Sequence, residues 1–153
     1  RTFVSAVPFT PNEGQVDVRV RVSSPSGAVR IGDTIRTTLT EGLPDPMLFR
    51  RGPSTGNQLQ PLAEPLFSRT ERARFEVPLA AETRVTAARL LDRNGNPLEL
   101  PVTVGERTDA AGVRWKTIDA TLAPLGAGDY VLEVTGTLRG GEKKLLTAFR
   151  VTR

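Results

Sequence analysis

The sequence predicts an all-β protein, an antiparallel sandwich of about eight or nine short strands joined by tight turns and one long crossover loop. Three observations carry this expectation. Apolar and polar residues alternate with period two through much of the chain, no stretch carries a helical apolar stripe, and turn residues separate the alternating runs. The 12 prolines and 14 glycines are spread throughout, where they punctuate short strands and would interrupt long helices.

Taken in order, Thr2–Phe9 is a weak first strand. Val16, Val18, Val20 and Val22 alternate with Asp17, Arg19 and Arg21, the pattern of a half-buried strand with one wet face. Ile31–Thr40 follows as a weaker candidate. Phe75, Val77 and Leu79 alternate with Arg74, Glu76 and Pro78, and just before them Arg69–Arg74 (RTERAR) has helix formers but no apolar face, which predicts only a short turn. Thr83–Asp92, Pro97–Val104 and Val113–Leu122 are weaker runs. Tyr130, Leu132 and Val134 alternate with Val131, Glu133 and Thr135, so this strand carries apolar residues on both faces. Leu145, Thr147, Phe149 and Val151 make the last strand.

The turns fit this frame. Asn94-Gly95 supplies the positive φ angles of a type I′ hairpin turn, and Gly140-Gly141 marks a second hairpin before the last strand. Asp109–Gly112 breaks the chain ahead of Trp115. The segment from Glu41 to Ser68 resists the pattern: it holds five prolines and three glycines and shows little alternation. A loop this long is functional or a linker. It reads as an ordered crossover pinned over a sheet edge, packed by Met47, Leu48, Phe49, Leu62, Leu66 and Phe67, with a domain boundary as the other option.

A length of 153 residues suits one domain, 1–153, with an internal boundary within 41–72 as the alternative division. Arg1 in place of Met predicts a processed product or an excised piece. The chain has no His and no Cys, which removes the imidazole base, the thiol nucleophile, the disulfide and the His- or Cys-bound metal. Its net charge is +4, from 21 Lys+Arg against 17 Asp+Glu, and the cations are interleaved with acids. That is a solvated surface rather than a nucleic-acid footprint. No apolar run approaches the ~18 residues of a membrane helix, so direct membrane insertion is not expected.

The stretch Leu122–Val134 reads LAPLGAGDYVLEV. It resembles the tyrosine corner of immunoglobulin-like sandwiches, in which the Tyr hydroxyl bonds back to the backbone just upstream. Tyr130 is the only Tyr in the chain, and its other options are an ordinary core Tyr or an exposed one. Together with FRRGPSTGN (Phe49–Asn57), FSRTERARFEVPL (Phe67–Leu79), ARLLDRNGNPLELPV (Ala88–Val102) and the closing TAFRV (Thr147–Val151), this stretch resembles the C-terminal region of the von Willebrand factor A-related proteins of acidobacteria. Residues 1–48 lie outside the resemblance. It implies a secreted or surface-exposed multidomain protein, with this piece behind the A-domain. The Asp-x-Ser-x-Ser metal motif of that domain occurs nowhere in the chain.

Asp92-Arg93-Asn94-Gly95-Asn96 spaces oxygen side chains as a calcium loop does, but the twelfth position, which would need a bidentate Glu, is Thr103. A hairpin turn is the better reading. Gly52–Asn57 lacks the Gly-Lys-Ser/Thr ending of a phosphate loop. Asp109 and Asp119 flank Trp115 as acids flank a sugar site, though a core Trp is favoured over a ligand platform. Arg50, Arg51, Arg69, Arg72 and Arg74 lie among Glu64, Glu71 and Glu76, which reads as a salt-bridged surface rather than an anion site. The expected function is that of a non-catalytic, extracytoplasmic interaction or accessory module, without metal or cofactor, whose partner is a protein or a neighbouring domain. Its binding residues are Phe49, Arg50, Arg51, Ser54, Thr55 and Asn57, with Tyr130, Asn94, Gly95, Gly140 and Gly141 as structural posts. Carbohydrate binding at Trp115 is the alternative.

Overall fold

The alternating runs are extended strands in the computed structural model, which describes residues 15–38, 43–80, 82–139 and 141–153. The described residues fall into two compact units, 15–38 and 43–153. In the first, β1 (Gln15–Ser23) and β2 (Arg30–Thr38) pair as an antiparallel hairpin with Val18 opposite Ile35 and Val22 opposite Ile31. Directly paired residues share a face, so the valines and isoleucines gather on one side while Asp17 and Arg36 pair on the other. The expected half-burial is not found: Val20 is 48% and Ile31 64% exposed. A two-stranded sheet has no second layer of its own to cover an apolar face. The Thr2–Phe9 run and the end of the Ile31–Thr40 run lie outside the described residues.

The second unit contains β3 (Met47–Arg51), β4 (Gln60–Leu62), β5 (Leu66–Ser68), β6 (Arg72–Leu79), β7 (Arg84–Asp92), β8 (Val102–Thr108), β9 (Arg114–Thr121), β10 (Gly128–Leu138) and β11 (Gly141–Thr152). They build two sheets, one of five strands in the order β4-β3-β6-β9-β8 and one of four in the order β5-β11-β10-β7. All pairings are antiparallel except the short β5–β11 pair. The chain is therefore all-β, with no α-helix among the described residues.

Period two decides what each sheet buries. On β6, Ala73, Phe75 and Val77 point to the core, as do Ile118 and Ala120 on β9. From the other sheet come Leu90, Leu132, Val134, Phe149 and Val151 in the same cluster. Phe75 of one sheet meets Phe67 and Phe149 of the other at centroid distances of 6.1 and 5.5 Å. Such tilted and edge-on contacts add about 0.5–1.5 kcal/mol per pair beyond area burial. A shared core between two inner sheet faces is the packing of a sandwich.

The long segment departs from the expectation of a loop poor in strands. It holds β3, β4, β5 and a single 3-10 turn at Pro53–Thr55, so eleven strands are described rather than eight or nine. Three-residue strands are too short to display alternation, and Pro61 is tolerated because β4 is an edge strand. The segment does pass from one sheet to the other, from β4 to β5. The run Pro97–Val104 is shortened in turn: Pro97 makes one bridge to Leu91, and the strand proper starts at Val102, after Pro101.

The Asn94-Gly95 turn is also not type I′. Gly95 alone has a positive φ, +85°, and its N–H donates to the Asp92 carbonyl at 3.0 Å, while the Asp92 N–H donates to the Asn96 carbonyl at 2.9 Å. This is a type I turn followed by a left-handed glycine. Asp92 selects it, since its Oδ1 accepts the N–H groups of Asn94 and Asn96, both at 2.8 Å. Asp109–Gly112 repeats the design with Gly112 at φ +81°. At the second predicted hairpin, Leu138 pairs with Gly141 across a tight connection; Gly140 lies outside the described residues.

Candidate functional site

The outward face of the five-stranded sheet collects the charged residues that alternate with the core. The register aligns Phe49, Arg74 and Asp119 in one row across β3, β6 and β9, and Arg51, Arg72 and Thr121 in the next. Arg74 grips Asp119 through two bonds, Nε to Oδ1 at 2.8 Å and Nη2 to Oδ2 at 2.9 Å. This bonding holds the Arg74 guanidinium above its ordinary pKa, against a smaller opposing effect of burial. Arg51 and Arg72 stand opposite one another with no ion pair among the described residues.

These side chains line an open groove of about 440 Å³ with Asn57, Thr103 and Asp119. Asn57 is the one non-glycine residue described with a positive φ, +58°, at the end of the 3-10 turn. Its N–H donates to the Gly52 carbonyl at 2.9 Å, and the Gly56 N–H goes to Pro53 at 3.1 Å. The N–H groups of Gly52, Thr55, Gly56 and Asn57 are therefore spent inside the turn rather than offered to a phosphate.

The six residues singled out in Phe49–Asn57 do not form one site. Arg51 and Asn57 face the groove, and Phe49 sits half-buried in the row beside Arg74. Arg50 shares the inward face with Ala73 and reaches toward Glu71, at 3.8 Å. Ser54 donates to the same carboxylate at 2.7 Å, and Thr55 is buried, bonding the backbone of Gly52. Glu71, buried and also bonded by the Ser68 N–H at 2.9 Å, ties the 3-10 turn to the start of β6. Sequence reasoning missed this hub, although an acid among arginines just before an alternating run was its signal.

The salt-bridged surface expected of this basic cluster is only half formed. Arg50 and Arg74 have acidic neighbours and Arg69 bonds the Ala123 carbonyl at 2.9 Å, whereas Arg51 and Arg72 have no acidic partner among the described residues. Arg72, Arg74 and Asp119 belong to the groove because strand alternation and register bring them beside Arg51.

Trp115 is not a core residue. It pairs with Pro78 and Arg107 on the outward face, half-buried, with the Arg107 guanidinium 5.2 Å from its ring centroid. Its indole N–H donates to Asp109 at 2.9 Å. That bond, with the Val113 and Ala111 amides, holds the Asp109 carboxyl below its ordinary value. Asp92 is likewise lowered, chiefly by the Asn96 side chain and backbone, so its oxygens are engaged by amides rather than free for calcium. Among the described residues, no three acidic groups gather as a metal site. Tyr130 donates its hydroxyl to the Gly126 carbonyl at 2.9 Å and lays its ring 5.9 Å from Phe149.

The fold and groove thus define an all-β protein of two packed sheets with a cationic concavity on one outer face. No family model, curated protein or solved structure matches the chain. No described helix is long and apolar enough to cross a membrane.

Proposed function

We propose that the chain is a non-catalytic interaction module of an extracytoplasmic multidomain bacterial protein, an immunoglobulin-like sandwich akin to the C-terminal region of the von Willebrand factor A-related proteins. The observation that carries this reading is the groove itself, where the side chains of Arg51, Arg72 and Asn57 present donors with no partner among the described residues. Binding groups held on strands of a rigid sheet suit recognition. The absence of His and Cys supports a non-catalytic role, as does the engagement of Asp109 by a turn and of Asp119 by Arg74. The Tyr130–Gly126 bond supports the immunoglobulin-like assignment. The exposed apolar face of the β1–β2 hairpin is a second surface of the kind proteins bury on association. The carbohydrate alternative has less support, since Arg107 already lies over the Trp115 ring.

The test is a photo-crosslinking residue at Leu59, on the groove wall, in the full-length protein made in its own host. The expected result is a discrete covalent adduct to a polypeptide or to another domain of the same chain. Absence of any polypeptide adduct from Leu59, and equally from Asn57 and Leu100, would overturn the reading.

A further inference from the structure

We propose that the Arg51–Arg72 groove binds the carboxylates of an acidic peptide segment. The inference deepens the interaction-module reading and rests on it. Two arginines directly opposite each other on neighbouring strands repel, because like charges in a cross-strand pair are destabilising. No carboxylate among the described residues offsets Arg51 or Arg72, and an anion seated between them would turn that repulsion into two attractions.

The remaining polar wall points the same way. The Asn57 side-chain amide and the Thr103 and Thr121 hydroxyls line the groove without hydrogen-bond partners among the described residues. Asp119, the one carboxylate on the wall, has both oxygens bonded by Arg74. Three guanidinia against one engaged carboxylate leave an excess of donors, which an acceptor-rich ligand satisfies. Guanidinium forks match carboxylates through paired bonds. Phosphate would satisfy the charge equally well, and the rest of the wall separates the two. Leu59, Leu100, Pro101 and Pro124 provide apolar surface for methylene stems and peptide backbone. Alternate side chains of an extended peptide project on one face about 6.6 Å apart, within reach of two arginines whose Cβ atoms stand roughly 5 Å apart. A Glu-x-Glu sequence meets that spacing.

The experiment is an NMR titration of the arginine Nε–H resonances with the blocked tripeptide Glu-Ser-Glu, with Gln-Ser-Gln and inorganic phosphate at matched ionic strength as the other arms. The expected result is a saturable shift of the Arg51 and Arg72 signals with Glu-Ser-Glu, none with Gln-Ser-Gln, and weaker saturation with phosphate. Arg72→Gln should weaken the peptide about threefold, the scale of an exposed ion pair, and the double variant Arg51→Gln/Arg72→Gln about tenfold. Both side chains are exposed and have no ion pair among the described residues, so the variants should keep the wild-type core methyl spectrum. An equal response to Gln-Ser-Gln, equal or tighter saturation by phosphate, or binding unchanged in the double variant overturns the proposal. If the titration fails while Leu59 still crosslinks to a polypeptide, the acidic-peptide inference falls and the module reading stands. If both fail, both fall.

Discussion

The Glu76 carboxylate, only 1% exposed although it lies on the strand face opposite Phe75 and Val77, is clamped by the Arg107 guanidinium, whose Nε stands 3.1 Å from both of its oxygens. The other sheet has a counterpart in Glu133, buried on its outward face between Arg89 at 2.7 Å and Lys144 at 3.3 Å. Burial pushes the Glu133 carboxyl up, but the two cations together hold it below its ordinary value. A buried carboxylate is costly to leave alone. Arg107→Ala should therefore destabilise the protein by about 2–3 kcal/mol, below the 3–5 of a fully buried broken pair because Arg74 stays 3.9 Å away. Glu76→Gln, which removes the charge and keeps the shape, should cost about 1 kcal/mol. Urea midpoints measure both, and equal losses in the two variants would mean that the uncompensated charge is not the cause.

Strand alternation made Glu76 legible as an outward residue and Phe75 and Val77 as core, and both placements hold. What alternation could not show is that an outward carboxylate is buried, because its cover comes from Arg107 on β8, which reaches Glu76 across the intervening strand β9. The same limit applies to the groove. Arg51 and Arg72 are 21 positions apart, and only the β3–β6 register sets them opposite one another. The dipeptide Asn94-Gly95 marks a turn but not its type, because the Asp92 side chain that selects the type I geometry lies outside it.

Tyr130→Phe should cost about 0.5–1 kcal/mol. The lost bond is the 2.9 Å donation to Gly126, and the ring contact with Phe149 survives in the variant. Because Gly126 is exposed, water can replace the hydroxyl, which places the loss at the low end of the range for hydrogen bonds. Thermal unfolding measures it. A loss above about 2 kcal/mol would show that the hydroxyl organises the whole corner rather than a single bond.

Gly95→Ala should destabilise by about 1–2 kcal/mol, the cost of a left-handed conformation for an L side chain. The φ of +85° is the sole obstacle, since a Cβ there would meet nothing within 4 Å. Gly95→Asn should recover part of the loss, because Asn tolerates this region better. Gly112, at φ +81° in equally open space, should respond in parallel. If Ala and Asn are equal at both positions, backbone strain is not what these turns require.

Acid should act on the Asp turns as well as on the paired carboxylates Glu133 and Asp129. The folded values of Asp92 and Asp109 are depressed below 3.8, so each contributes stability that is present above the unfolded value and is lost as pH falls through the folded one. Stability should be flat from neutrality to about pH 5 and should fall below about pH 4. Asp109→Asn should lower stability at pH 7 and lose less than wild type on acidification, because the variant has no proton to bind at that position. Parallel urea midpoints for the two proteins at pH 7 and pH 3 would sink this assignment.

Hydrogen exchange should divide the chain at its two units. Among the described residues, β1 and β2 pair only with each other, and their apolar face is exposed. A lone two-stranded hairpin is marginal in water, so its amides should exchange by local opening, far faster than those of β6 and β9. Amides of β6 and β9, which flank the Phe75 and Ile118 core positions, should open only with global unfolding. Ser23, Arg30 and the residues next to the turn should exchange fastest of all. Protection in β1 equal to that in β6 would require a partner layer over Val18, Val20 and Val22. Truncating those valines to Ala would then slow or abolish folding instead of leaving the second unit unchanged.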